Sequence, residues 1–382
     1  MSRVKRRERL LVGILVVVVM VGVLALIRSQ PWGRVDLRLI KPDTTDWIVC
    51  VHLNENAHGD LMVIKPEGQT LMLTNDDHDD RSPDWAPDGK KIVFSSNRRD
   101  AVYQLWTIDP DGKGLSQLTL GGGAKLAPLY DRDGKQILHI AQGLVTEIDP
   151  KGVHALQLVP SAAQMLQVRE QYGQVAFRYA KRPDPDLIAA VQRIDEGEQV
   201  VLQDLTATQQ QFVLPVVIAG EQVDIDWAPE GRRLVVSGAG LIVSTPEGEQ
   251  RVGGILRFDF GANAREVRPL PLWVSANNAQ AAIEGVWSPD GARVAFVLCE
   301  RGKDGSLRRV GLATVPEAGG SPTLIVEGAV YHPHWAPDGQ RLVFAMGTPG
   351  NRQIYTVRLD GSELTQRTRA GDHVTPRWSP AK

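Results

Sequence analysis

Trp85-Ala86-Pro87-Asp88-Gly89, followed by Lys90-Lys91-Ile92-Val93-Phe94, reads as a tight turn that opens into a strand. Proline presets φ for the turn, and glycine accepts the positive φ that closes it. The apolar triplet behind it does not alternate with polar residues, so the strand is buried on both faces. The same ten-residue sentence returns along the chain. Trp227, Pro229 and Gly231 precede Leu234-Val235-Val236. Trp287, Pro289, Asp290 and Gly291 precede Val294-Ala295-Phe296. Trp335, Pro337, Asp338 and Gly339 precede Leu342-Val343-Phe344. A degraded copy runs from Tyr130 through Asp133-Gly134, and a truncated one, Trp378-Ser379-Pro380, ends the sequence.

A second turn signal follows the copies, as in Asp109-Pro110-Asp111-Gly112 and Asp360-Gly361. Each unit is therefore a small antiparallel sheet joined by hairpins, with its tryptophan sized to fill the gap to the next sheet. Periods of about 40 to 60 residues with several strands each predict an all-β propeller. The count is about seven blades, with six and eight left open. The segment near 46–76 has strands without the tryptophan turn, and the last residues have that turn without a following strand. The two are complementary, so the end of the chain is expected to complete the first blade and close the ring. The unit near 160–215 is the weakest, with an expected insertion at 183–186.

These copies resemble the TolB-type, WD-like propeller repeats of bacterial periplasmic proteins and of prolyl oligopeptidase-like peptidases, over roughly residues 46–382. The resemblance implies architecture. The repeated residues serve turns and packing, so it carries no catalytic role. Those peptidases hold their Ser-His-Asp triad on a separate hydrolase domain, and neither a G-x-S-x-G elbow nor a Walker A loop occurs in this sequence.

Ahead of the repeats, residues 10–27 form an unbroken run of apolar residues and glycine. As a helix it would span about 27 Å, close to the hydrocarbon thickness of a bilayer. Residues 1–9 carry +4, and the remainder of a chain whose net charge is −2 carries −6. This asymmetry predicts a single transmembrane anchor with a cytoplasmic N-terminus, a tether over 28–45, and a propeller outside the cell membrane. The run is longer than a signal-peptide core and lacks small residues at its end, which favours retention over cleavage. The mildly acidic body gives no footprint for nucleic acid. Cys50 and Cys299 each lie in an apolar run and read as core residues.

One cluster suggests chemistry. Asp80 and His373 each lie five residues before a blade tryptophan, and His78, Asp79 and Asp372 flank them. With the ring closed, these loops belong to neighbouring blades and are expected to converge. Carboxylates with imidazoles suit a divalent metal ion, the one cofactor the sequence suggests. His332 and His334, flanking Pro333, form a second, weaker candidate, and along their extended stretch they are not expected to face one ligand. Arg98-Arg99-Asp100 reads as solvated loop charge. The functional expectation is a non-catalytic propeller that binds a protein or peptide partner in the cell envelope. The alternative is a metal-dependent lyase or hydrolase on a carbohydrate or other envelope polymer, since some pectate-degrading lyases also resemble this repeat.

Overall fold

The structure is a computed structural model that describes residues 43–121, 123–141, 144–151, 176–181, 187–194, 197–204, 211–218, 223–245, 248–260, 267 and 269–381. The expected anchor and tether up to residue 42, and the expected insertion at 183–186, lie outside them. No helix among the described residues is long and apolar enough to cross a membrane. Residues 43–382 form one compact unit.

The strands follow in chain order. β1 (Ile48–Leu53), β2 (Gly59–Ile64) and β3 (Thr70–Met72) come first, then β4 (Asp80–Trp85), β5 (Ile92–Ser96), β6 (Gln104–Ile108) and β7 (Ser116–Gln117). β8 (Lys125–Tyr130), β9 (Ile137–Ala141) and β10 (Leu144–Ile148) make a three-stranded sheet. β11 (Ala176–Lys181), β12 (Leu187–Ile194), β13 (Gly197–Asp204) and β14 (Gln211–Ile218) lead into β15 (Asp224–Trp227), β16 (Arg233–Thr245), β17 (Gly248–Asp259) and β18 (Pro269–Val274). β19 (Gln280–Trp287), β20 (Arg293–Arg301), β21 (Leu307–Pro316) and β22 (Thr323–Glu327) form the next sheet. β23 (Val330–Trp335), β24 (Arg341–Met346), β25 (Gln353–Arg358) and β26 (Thr365–Gln366) form another, and β27 (Asp372–Trp378) is the last strand.

Together these sheets make a seven-bladed β-propeller. β27 pairs antiparallel with β1, matching Ile48 to Trp378 and Leu53 to Asp372, so the chain's last strand is the innermost strand of its first blade. The fourth and fifth blades are continuous: the far half of the long β16 pairs with β14 through Val216–Val243 to Ile218–Leu241, while its near half pairs with β15.

The turn reading holds at atomic level. Gly89 has φ 66° and donates to the Ala86 carbonyl at 2.8 Å. A Cβ there would meet the Thr44 hydroxyl oxygen at 2.5 Å. Ile92, Val93 and Phe94 are fully buried, as are Val294, Ala295 and Phe296. The tryptophans bridge blades: Trp85 Nε1 donates to the Arg377 carbonyl and Trp335 Nε1 to the Val286 carbonyl, both at 3.1 Å. Cys50 and Cys299 are buried free thiols.

Candidate functional site: the central channel

The innermost strands of the blades line the axis, and five of them share one irregularity. Three residues before each blade's aromatic residue, Ser82, Ala127, Glu284, His332 and Thr375 all have φ between 48° and 55°. Each marks a β-bulge, where the ladder to the second strand shifts register. A positive φ is strained for residues with a Cβ. Its recurrence at one position shows a device of the architecture, and the hydrogen bonds show its use. The bulge turns backbone N–H groups away from their own sheet, and side chains of the preceding blade accept them.

Asp84 accepts from the Tyr130 N–H at 2.8 Å, Asp226 from the Trp287 N–H at 2.8 Å, and His334 Nδ1 from the Trp378 N–H at 3.3 Å. One bulge further out, Asp224 accepts from the Glu284 N–H at 2.7 Å and Glu284 from the His332 N–H. His332 Nδ1 faces the Thr375 N–H at 3.5 Å. The acidic and imidazole side chains of the channel thus lace successive blades together. His332 and His334 both face β27. Side chains two residues apart on a strand share a face, so the sequence expectation that separated them is corrected.

The laced strands enclose a cavity of about 360 Å³. Asp224, Asp226, Glu284, His332 and Arg377 supply its polar wall; Leu129, Leu138, Ile225 and Val286 supply apolar surface. Burial pushes Asp226 up to about 7 and Asp84 up to about 6, against the pull of the accepted N–H and of Arg377. Burial likewise drives His334 down to about 3, helped by Arg377. Burial would raise Glu284, but His332 and Arg309 outweigh it and hold the carboxyl below its usual range; Arg309 contacts Glu284 at 2.7 Å.

The two raised carboxyls set a pH dependence. An unfolded Asp titrates near ~3.9, so folding favours the protonated form. Stability from this source is full below about pH 4 and is lost as pH rises through about 6 to about 7. Asp226→Asn keeps the acceptor for Trp287 and removes the charge. It is expected to raise the urea midpoint at pH 8, with the gain shrinking as pH is lowered towards 4. An equal shift at every pH would show that Asp226 ionises normally in the folded chain.

The five residues expected to hold a metal do not assemble around one point. Asp80 is fully buried and takes both oxygens to Arg98 Nη2, at 2.9 and 2.7 Å. Asp372 is gripped by Arg352 through Nε at 2.8 Å and Nη2 at 2.6 Å, and by the Gly350 and Arg352 N–H groups. Asp79 accepts from the Gly59 N–H at 2.6 Å and from the Tyr103 hydroxyl, and pairs with Arg81 at 2.6 Å. His373 meets His52, which the sequence reading had not chosen, at 3.2 Å between ring nitrogens, and burial with His52 lowers His373 to about 4. Only the backbone N–H of His78 joins the local network, donating to Asp76 at 3.0 Å. Among the described residues, no three His, Cys, Asp or Glu side chains are grouped to hold a metal ion. The physical reason is competition: arginine partners neutralise the carboxylates a cation would need.

Arg98 is correspondingly not solvated. Its side chain is 8% exposed, with its guanidinium 5.7 Å from the Phe94 ring and 5.3 Å from the Trp106 ring. Arg99, 60% exposed, does fit the loop reading. The channel residues Asp84, Asp224, Asp226, Glu284 and Arg377 had gone unnoticed. Their signal lies in the repeat itself, in the positions one and three before each aromatic residue.

No family model matches the chain. Among solved structures it is similar to TolB from Acinetobacter baumannii, at 18% identity over 90% of this chain and 69% of that one, TM-score 0.51. It is similar to an oligogalacturonate lyase in complex with manganese, at 12% identity over 86% of each chain, TM-score 0.58. It is also similar to acylaminoacyl peptidase in complex with Z-Gly-Gly-Phe-chloromethyl ketone, at 14% identity over 85% of this chain and 50% of that one, TM-score 0.52. At these identities the likeness establishes the fold and leaves function to the site. The chain is a seven-bladed β-propeller similar in structure to TolB and to the propeller domain of acylaminoacyl peptidase.

Proposed function

We propose that this chain is a single-pass, membrane-anchored propeller that acts outside the cytoplasmic membrane as a non-catalytic binding module, an accessory subunit docking a protein or peptide partner. The supporting observation is the use the channel makes of its ionisable groups. Asp84, Asp226 and His334 each hold the backbone N–H of the next blade's aromatic residue. A general acid or base must exchange its proton with a substrate; these side chains are fixed as structural acceptors. The clamps Asp80–Arg98 and Asp372–Arg352 fix the connections around them. A surface fixed in advance binds without a large ordering cost. The metal-dependent lyase or hydrolase reading needs carboxylates that Asp80 and Asp372 have already committed to arginines.

The topology half of the proposal is tested with a thiol label. Both native cysteines are buried, so Lys303→Cys, on the exposed β20–β21 turn, places a single reactive thiol on the propeller. A membrane-impermeant maleimide is expected to label it in cells whose cytoplasmic membrane is intact. Labelling only after lysis would place the propeller inside. The binding half is tested by cross-linking the full chain in membranes and extracting it gently. A stoichiometric protein partner is expected, and the chain recovered alone would remove the docking reading.

A further inference from the structure

Among the described residues, the channel contains a cation without a partner. Arg377 lies on β27, one residue before Trp378, and its half-buried side chain lines the cavity. Among the described residues its guanidinium makes no hydrogen bond, and no carboxylate oxygen lies within 4.0 Å of it. Its charge nevertheless acts on Asp84, Asp226, His332 and His334, which come from three other blades. The guanidinium therefore projects towards the axis. The neighbouring arginines behave otherwise: Arg98, Arg309 and Arg352 each contact a carboxylate at 2.6 to 2.7 Å. An arginine withdrawn from water without a counter-charge is costly. Asp226 lines the same cavity, with no oxygen within 4.0 Å of the guanidinium.

We propose that this cavity binds a small zwitterion, its carboxylate on the guanidinium of Arg377 and its ammonium on Asp226. A bare anion would meet Asp226 and its neighbours Asp224 and Glu284, and a bare cation would meet Arg377. A molecule carrying both charges satisfies both walls, and the planar guanidinium fork matches a carboxylate in two-point contact. At about 360 Å³ the space lies at the small end of ligand pockets. Leu129, Leu138, Ile225 and Val286 suit an apolar side chain. The chemistry is that of an aliphatic α-amino acid or a dipeptide of such residues. The site goes beyond the partner-docking reading and stands whether or not a protein binds the propeller.

The test is calorimetry on the detergent-solubilised full chain at pH 8, where Asp226 is ionised. L-leucine and Leu-Leu are the probes. 4-Methylpentanoate, which lacks the amine, and 3-methylbutylamine, which lacks the carboxylate, are the one-charge controls. At least one zwitterion is expected to bind, which one separating a free amino acid from a peptide source. Each control should bind about tenfold more weakly or worse. Arg377→Gln should lower affinity by a similar factor in a chain that still unfolds cooperatively. Arg377→Lys, which keeps the charge and loses the fork, should fall between and serves if the glutamine variant does not fold. Absence of binding by both zwitterions at millimolar concentration overturns the proposal. So does a one-charge control that binds equally well, or an arginine variant that binds like wild type.

Discussion

A chain ending at Gly371 is expected to lose its cooperative fold. That truncation removes β27, the inner strand of the first blade, and strips β1 of its ladder from Ile48 to Leu53. It takes away Trp378, 4% exposed and packed with Ile48, Cys50, Ala336 and Val343 beneath the Arg341 guanidinium at 4.8 Å. The clasp goes too: Ser379 donates its hydroxyl to the Thr44 carbonyl at 2.7 Å and its N–H to the Trp47 carbonyl at 2.8 Å. Two blade interfaces open and an edge strand is exposed. Trp378→Ala, the milder variant, is expected to cost about 3–5 kcal/mol, against a total of roughly 5–15 kcal/mol for a folded domain. Urea unfolding followed by far-ultraviolet circular dichroism measures both. A truncated chain with the midpoint and steepness of the full one would show that the ring does not depend on its last strand.

Asp80→Ala is expected to destabilise the propeller by about 3 kcal/mol, because it takes from a buried guanidinium its buried carboxylate and leaves it only the more exposed Asp76, at 3.1 Å. Asp80 is fully buried and Arg98 lies between the Phe94 and Trp106 rings, so water cannot replace the lost carboxylate cheaply. Burial alone pushes the Asp80 carboxyl up, against Ser96, Arg98 and Thr74. The double variant Asp80→Ala/Arg98→Ala should lose much less than the two single variants summed, since it leaves no orphaned charge. Additive losses would show that the pair is not coupled. The Lys90–Asp88 pair, with both side chains more than half exposed, is the contrast, and breaking it should change little.

The architecture was legible because its determinants are local and repeated. Pro87-Asp88-Gly89 encodes a turn within five residues, and Ile92-Val93-Phe94 declares a strand with no wet face; several copies of that sentence leave few alternatives to a ring. Closure was legible too, from a blade without its tryptophan turn and a tryptophan turn without its blade. The continuity of the fourth and fifth blades was not, because it depends on how far β16 extends beyond its hairpin partner. The partners of the candidate site residues were not legible, for a related reason. Spacing correctly put the His78–Asp80 and Asp372–His373 stretches on neighbouring blades. It did not disclose that Arg98 and Arg352 arrive first, nor that His52 meets His373 across 321 residues.

Local sequence, then, determined turns, strands, burial and the number of repeats to within one, since each follows from backbone preference and hydrophobic pattern over a few residues. Which charge meets which was decided only when seven inner strands converged on one axis. There the bulges redirected N–H groups towards neighbouring blades, carboxylates and imidazoles closed on them, and Arg377 was left facing the cavity. Electrostatic pairing depends on distance in space and on the exclusion of water, and neither exists until the ring is closed.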